Sequence, residues 1–317
     1  MAQHYTSLEE VYLQRTWLTI GSFDGVHRGH QKLIQELNQN AHQANQKSIV
    51  LTFHPHPAVI LRQRTDPFYL TTISEKNKIL ESLGPDIIIT HPFTFELSQS
   101  SARDFVTYLL DHLGFQQLWV GYDFALGKGR QGNVDYLKQL GMEFNYQVHI
   151  VDPVVSGDQV ISSSTIRSLL LEGNVEKSAQ LLGRPYQVEG EVVHGDGRGK
   201  SIGIPTANIE PEAQKLIPGA GVYACRVELN GEQMPAAVNI GTRPTFEDSD
   251  HTLHVEAHIL DYSGDLYTQV IGIEFISRLR GEERFESVEA LIQQEHVDIR
   301  KTRSIVARMS RREKSIG

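Results

Sequence analysis

The spacing of apolar positions changes rhythm once along this chain, near residue 185. Before that point, short apolar runs alternate with stretches of helical period. Residues 18–21 read as a buried strand, and a glycine-rich turn leads into a helix over about 27–45. Residues 48–53 form a second buried strand. A helix over 74–83, a strand over 86–90, a helix over 101–113 and a strand over 118–121 follow. Strands separated by helices predict right-handed βαβ units and a Rossmann-like parallel sheet, an α/β fold. Ligands of such sheets sit beyond the carboxyl ends of the strands. The segments GSFDGVH, TFHPHP and VGYDF all fall there. Two short helices, 164–171 and 174–182, begin at capping residues and stop at Gly173 and Gly183.

After Gly183-Arg184-Pro185 the period becomes two. Strands are expected over 186–194, 222–229, 233–240, 253–260 and 269–275, with Asn230-Gly231 as a tight hairpin turn. Five or six such strands predict a small antiparallel β-barrel, closed by a C-terminal helix from residue 287. The expected domains are therefore 1–184 and 185–317.

Composition narrows the class. A chain of 317 residues with 39% hydrophobic and 22% charged residues suits two soluble domains. It contains no apolar run of bilayer length, and its first residues lack the pattern of a secretory signal. Cys225 is the single cysteine, so no internal disulfide forms. The expectation is a cytoplasmic protein with no membrane partner. A net charge of −9 repels phosphate backbones, so no nucleic-acid partner is expected either. The segment 300–314 holds seven Lys/Arg and one Glu313, and reads as a solvated helix end whose cations suit the dipole. The pattern leaves a weak homo-oligomer open.

In the first half, Gly21, Gly25 and Gly29 bracket Phe23, Asp24, His27 and His30 between a strand end and a helix start. Glycines admit a phosphate close to backbone, and the helix start offers free N–H groups. His27 and His30, three apart, project together and suit phosphoryl oxygens during attack at phosphorus. Zinc is the rival, but further ligands are missing from the pattern. This motif points to nucleotidyl transfer from ATP. In ISSSTIRSLL, Ser163, Ser164 and Thr165 form a helix start, and Arg167 lies in the first turn, where the dipole disfavours a cation. A bound anion would resolve that conflict; a surface arginine is the plain alternative. Asp123, at a strand end before the glycine-rich loop GKGRQG, suits a ribose, a base edge or a magnesium-bound phosphate. Phe53 suits either ring stacking or the core.

GSFDGVHRGH, TFHPHP, GYDFALGKGRQG and SSSTIR resemble the adenylyltransferase domain of the prokaryotic bifunctional riboflavin kinase/FMN adenylyltransferase family, also called FAD synthetase. The resemblance implies that His27, His30, Ser164, Thr165 and Arg167 contact ATP phosphates, and that Asp123 binds nucleotide or flavin. Leu126 stands where that family suggests phenylalanine.

In the second half, HGDGRGKSIGIPTAN contains Gly-Lys-Ser but is no P-loop. His194 occupies the position of the first glycine, and Pro205 blocks the helix that should follow. A glycine flap holding Gly195, Gly197, Gly199 and Lys200 before Pro205 suits a nucleotide. Thr206 and Asn208 offer hard oxygen ligands suited to Mg2+ on a nucleotide, with an ordinary strand-edge turn as the plain alternative. Glu256 has the parity opposite to Leu253, Val255, Ala257 and Ile259, so it faces away from their core. It is either a solvent-facing carboxylate or a base for an alcohol attacking phosphorus. IGIPTANI, GVYACRV, AAVNIGTRPTF, HVEAHILD and FISRLRGEERFESVEALIQQ resemble the riboflavin kinase domain of the same family. The resemblance implies Thr206 and Asn208 on Mg-ATP and Glu256 as catalytic base. The implied function is riboflavin to FMN, then FMN to FAD, with ATP as co-substrate. A single-function adenylyltransferase and a non-catalytic flavin-binding module are the alternatives.

Overall fold

The computed structural model describes residues 2–195, 204–229, 231–242 and 253–316, without the side chains of 312–316. By internal contacts the chain forms two compact units, 1–163 and 164–317.

The first unit is laid out by its strands. β1 (Gln3–Tyr5) and β2 (Thr16–Ile20) precede α1 (Arg28–Gln43), β3 (Lys47–His54), α2 (Pro57–Arg62) and α3 (Ile73–Ser82). Then come β4 (Ile87–Pro92), α4 (Phe95–Ser98), α5 (Ala102–Leu113) and β5 (Phe115–Gly121). A two-stranded ribbon, β6 (Ala125–Leu126) with β7 (Gly132–Asn133), leads to α6 (Val134–Phe144) and β8 (Gln147–Val151). A second ribbon pairs β9 (Val155–Ser156) with β10 (Gln159–Val160).

The main sheet has the order β1-β4-β3-β2-β5-β8, and every pair in it is parallel. Residues 48–53 of β3 are buried without a break, as a central strand covered on both faces requires. Alternation sorts them: Ile49, Leu51 and Phe53 join Phe105, Leu109 and Leu137, while Val50 joins Ile34, Leu37 and Leu80. Helices α5 and α6 thus cover one face, and α1 and α3 the other. The strand order reverses at β2, which places the switch-point crevice beyond the carboxyl ends of β2 and β5.

In the second unit, α7 (Ser163–Leu171, continuous across the division) and α8 (Val175–Leu182) lead into the barrel strands. These are β11 (Tyr186–Val193), β12 (Ala207–Pro211), β13 (Gly221–Leu229), β14 (Glu232–Thr242), β15 (Leu253–Ile259) and β16 (Val270–Arg280). They close antiparallel in the order β11-β12-β15-β14-β13-β16. Leu229 pairs with Glu232, so a two-residue turn joins β13 to β14; Gly231 takes φ +80° there, while Asn230 lies outside the described residues. Cys225 is fully buried in the barrel, where desolvation pushes its thiol up, away from reactivity. Helix α8 is tied to the barrel by Glu176, which accepts hydrogen bonds from Ser277 Oγ (2.7 Å) and Arg278 N (2.9 Å).

The last helix, α9 (Val288–Ile316), packs on β13, β14 and β16 through Asp298, Thr302 and Val306. Arg300, Lys301, Arg303, Arg308 and Arg311 are exposed. No helix among the described residues is long and apolar enough to cross a membrane.

Candidate functional site

The loop after β2 is folded against local preference. Phe23 (φ +46°) and Val26 (φ +40°) adopt left-handed backbone, costly for a β-branched valine, and both side chains are buried. Asp24 accounts for much of what holds it. Its buried carboxylate accepts hydrogen bonds from Leu70 N (3.0 Å) and Thr71 N (3.1 Å), and Gly25 N donates to Thr71 Oγ1 (3.1 Å). Asp24 therefore anchors the loop. A Cβ on Gly21 would lie 2.9 Å from the Phe23 ring, and one on Gly29 would lie 3.1 Å from the His27 ring. The glycines thus make room for rings as well as for a ligand.

His27 caps α1, its Nδ1 accepting from His30 N at 3.4 Å, and the two imidazoles stack with centroids 3.6 Å apart. The Phe23 ring meets His30 edge-on at 5.2 Å. His30 Nδ1 is buried with no hydrogen-bond partner among the described residues. Burial pushes the pKa of His30 well below that of an ordinary imidazole, and the nearby His27, Lys76 and His56 push the same way. His30 is therefore neutral at neutral pH, a hydrogen-bond donor through one ring nitrogen.

Two cavities open at the strand ends. One, of about 470 Å³, is lined by Gly21, Phe23, His27, Gly29, His30 and Ser163, together with the end of β8. The other, of about 630 Å³, is lined by Phe53, Leu61, Phe93, Leu97 and Phe105 and by the 123–130 loop. Ile20, Gly21, Asp123 and Phe124 border both. Phe53 serves in two ways: it is 9% exposed within the core cluster and also lines the larger cavity. Leu126 fills the core beneath this loop, where the family pattern suggests phenylalanine. Ser163 opens α7 and its Oγ donates to Asp24 O (2.9 Å). Ser164, Thr165 and Arg167 follow on the same helix; because it begins at Ser163, Arg167 opens the second turn rather than closing the first.

The barrel carries a row of polar groups across three strands. Glu256 on β15 lies opposite Asn208 on β12 and opposite Asn239 on β14. Directly paired residues share a face. Their neighbours Ile209, Val255, Ala257 and Ile240 are buried, so Asn208, Glu256 and Asn239 face away from the barrel core. Thr206 immediately precedes β12. The Pro205 carbonyl lies 2.8 Å from His258 Nδ1, on the same side of β15 as Glu256. A Cβ on Gly195 would lie 2.0 Å from Asn208 Nδ2, so the chain there lies directly against the amide. Gly197, Gly199 and Lys200 lie outside the described residues.

Helix α9 adds two acids. Asp298, fully buried, accepts from Arg280 Nε (2.9 Å) and Gln294 Nε2 (3.0 Å). Burial raises the pKa of Glu295, and the carboxylates of Asp298 and Glu256 add to that shift against Arg280. Sequence reasoning left Glu295 aside because one acid on a long polar helix carries no spacing signal. It likewise missed Lys76 and the apolar wall of the larger cavity.

The family model for FAD synthetase matches residues 9–165, and that for riboflavin kinase matches residues 182–306. The bifunctional riboflavin kinase/FMN adenylyltransferase of Listeria monocytogenes is 38% identical over 293 residues, 92% of this chain and 93% of the relative. The chain belongs to the bifunctional riboflavin kinase/FMN adenylyltransferase family. The family member of Escherichia coli K12 is 38% identical over 86% of this chain and 87% of its own length. That of Bacillus subtilis is 35% identical over 87% and 88%. A crystal structure described as a macrolide-efflux protein from Streptococcus pneumoniae superimposes with a TM-score of 0.86 at 28% identity, covering 95% of this chain and 98% of that one. The α/β sheet and the antiparallel barrel of this chain are thus the architecture expected for an FAD synthetase unit and a riboflavin kinase unit.

Proposed function

We propose that this chain phosphorylates riboflavin to FMN at the barrel and adenylylates FMN to FAD at the switch point of the sheet, both with ATP. Family membership over both halves supports the pairing. The observation that supports it is a pair of separate arrangements, a cavity lined by His27 and His30 in one unit and the row of Asn208, Glu256 and Asn239 across the barrel strands in the other. We assign the adenylyltransferase chemistry to residues 1–184 and the kinase chemistry to 185–317. Neither a single-function adenylyltransferase nor a flavin-binding module accounts for both arrangements.

At the barrel, Glu256 takes the proton of the riboflavin 5′-hydroxyl as that oxygen attacks the γ-phosphorus of ATP. The bond to the bridging β–γ oxygen breaks, ADP leaves, and the proton remains on Glu256. Thr206, Asn208 and the flap of Gly195, Gly197, Gly199, Lys200 and Pro205 hold the nucleotide. The hydroxyl of Thr206 and the amide oxygen of Asn208 are hard donors, Asn208 lies opposite the Glu256 carboxylate, and this donor set fits Mg2+. A magnesium ion held there supplies neutralisation of phosphate charge.

At the sheet, the cavity with His27 and His30 receives ATP, with Gly21, Phe23, Asp24, Gly29, Ser163, Ser164 and Thr165 shaping the phosphate site. Arg167 adds a cation for the transferring group. The apolar cavity beside Phe53 receives the flavin ring, and Asp123, on the shared border, orients the flavin or the nucleotide. An FMN phosphate oxygen attacks the α-phosphorus, the bond to the α–β bridging oxygen breaks, and pyrophosphate leaves. His27 and His30 donate hydrogen bonds to the oxygens on which charge builds.

The test is chromatography of products after incubation with riboflavin, ATP and Mg2+. FMN followed by FAD is the expected result; the appearance of neither overturns the reading.

A further inference from the structure

Lys76 is 6% exposed, and no carboxylate forms an ion pair with it among the described residues. From the first turns of α3 its ammonium reaches the ends of two neighbouring strands. It donates to Thr52 Oγ1 (3.0 Å), Phe53 O (3.3 Å) and Ser22 O (3.4 Å). Ser22 and Phe53 line the larger cavity, and Ser22 follows Gly21, which borders both. Thr52 Oγ1 donates in turn to Ser22 O (3.0 Å), so one cation organises a three-centre joint between β3 and the histidine loop. A buried ammonium whose direct hydrogen bonds all go to neutral groups is costly, and the charge of Asp24 offsets that cost only in part. A methionine or leucine would fill the same space without that cost, so packing alone does not explain a lysine there.

We propose that Lys76 is a positioning residue for adenylyl transfer: it fixes the Ser22 and Phe53 carbonyls behind the wall between the two cavities and supplies a positive charge beneath the meeting point of the phosphates. The inference rests on the reading of this unit as the FAD-forming site. The charged and titratable groups around Lys76 come from three other elements. Asp24 on the loop favours its protonated form, while His30 on α1 and His54 on β3 are both pushed down by it. Burial lowers Lys76 itself to about 8, so it still carries its charge at neutral pH. After burial and the neighbouring His27, its charge adds to what disfavours the protonated ring of His30.

The test is Lys76→Met in the full chain, assayed for FAD from FMN and ATP and, in the same preparation, for FMN from riboflavin. The expected result is a fall of about tenfold or more in kcat for FAD, with KM for FMN changed less, and kinase turnover within twofold of wild type. The His30 ring, followed by NMR, should titrate at higher pH in the variant. FAD formation at the wild-type rate, or an unmoved His30 titration, overturns the proposal. If Lys76→Met does not fold, Thr52→Val removes one partner at constant volume. It should slow FAD formation a few-fold while sparing the kinase, and an unchanged rate overturns the proposal. Absence of FAD formation by the wild type would instead remove the functional reading, with the His30 titration still deciding the effect of the Lys76 charge.

Discussion

The two units meet the same problem, a polyphosphate beside an attacking oxygen, with opposite means. In the sheet unit, the proposed site residues sit on loops past the strand ends, held in unfavourable backbone by the buried carboxylate of Asp24. In the barrel, the proposed site residues sit in mid-strand, where cross-strand pairing aligns Asn208, Glu256 and Asn239. The first arrangement offers hydrogen-bond donors and, in His30, an imidazole whose basicity burial lowers, suited to an acceptor already ionised. The second offers a carboxylate, suited to an alcohol that must lose a proton. An FMN phosphate is such an acceptor, and the riboflavin hydroxyl is such an alcohol.

If this division is right, single substitutions should silence one activity and spare the other. Glu256→Gln should lower FMN formation by about 10³-fold while FMN is still converted to FAD; loss of both in product chromatography would break the comparison. His30→Ala should lower FAD formation by about 10²-fold, read by initial rates with FMN, and leave riboflavin phosphorylation intact. Gly195→Ala forces a methyl against Asn208, so KM for ATP in the kinase assay should rise about tenfold, without effect on FAD formation. Asp24→Ala strands the Leu70 and Thr71 N–H groups and should destabilise the sheet unit by about 2 kcal/mol in denaturant titration, with the barrel transition unmoved.

The smallest effect concerns pH. The pKa of His30 lies below its unfolded value, so the folded state binds fewer protons than the unfolded one. Stability of the sheet unit should therefore fall as pH drops below about 6.5. His30→Phe should flatten that fall in melting temperature; an equally steep fall would mean that His30 is not the group responsible.

Much of this was legible in the chain. Unbroken burial of β3 and the alternation in β15 follow from apolar patterning, so the sheet, the barrel and the outward parity of Glu256 were all readable. The glycine loop was readable because its residue types are rare together. What the chain hid depends on distance in sequence. The Lys76 ammonium meets Thr52 and Ser22 across 24 and 54 positions, a pairing without local period. Strand β1 has three residues and owes its place to β4 rather than to its own propensity. Helices α2 and α4, which border the larger cavity, are six and four residues long, too short for a helical period to show. Asp24 was expected at ATP, but its carboxylate is directed to backbone N–H groups that sequence alone does not bring near.

The common border of Gly21 and Asp123 has a consequence for regulation by the end product. On the proposed reading, FAD joins in one molecule the two parts that arrive separately, so a single FAD would span both cavities. Accumulated FAD would then exclude ATP and FMN together, competing with each, and the sheet unit would slow its own output without a separate effector site.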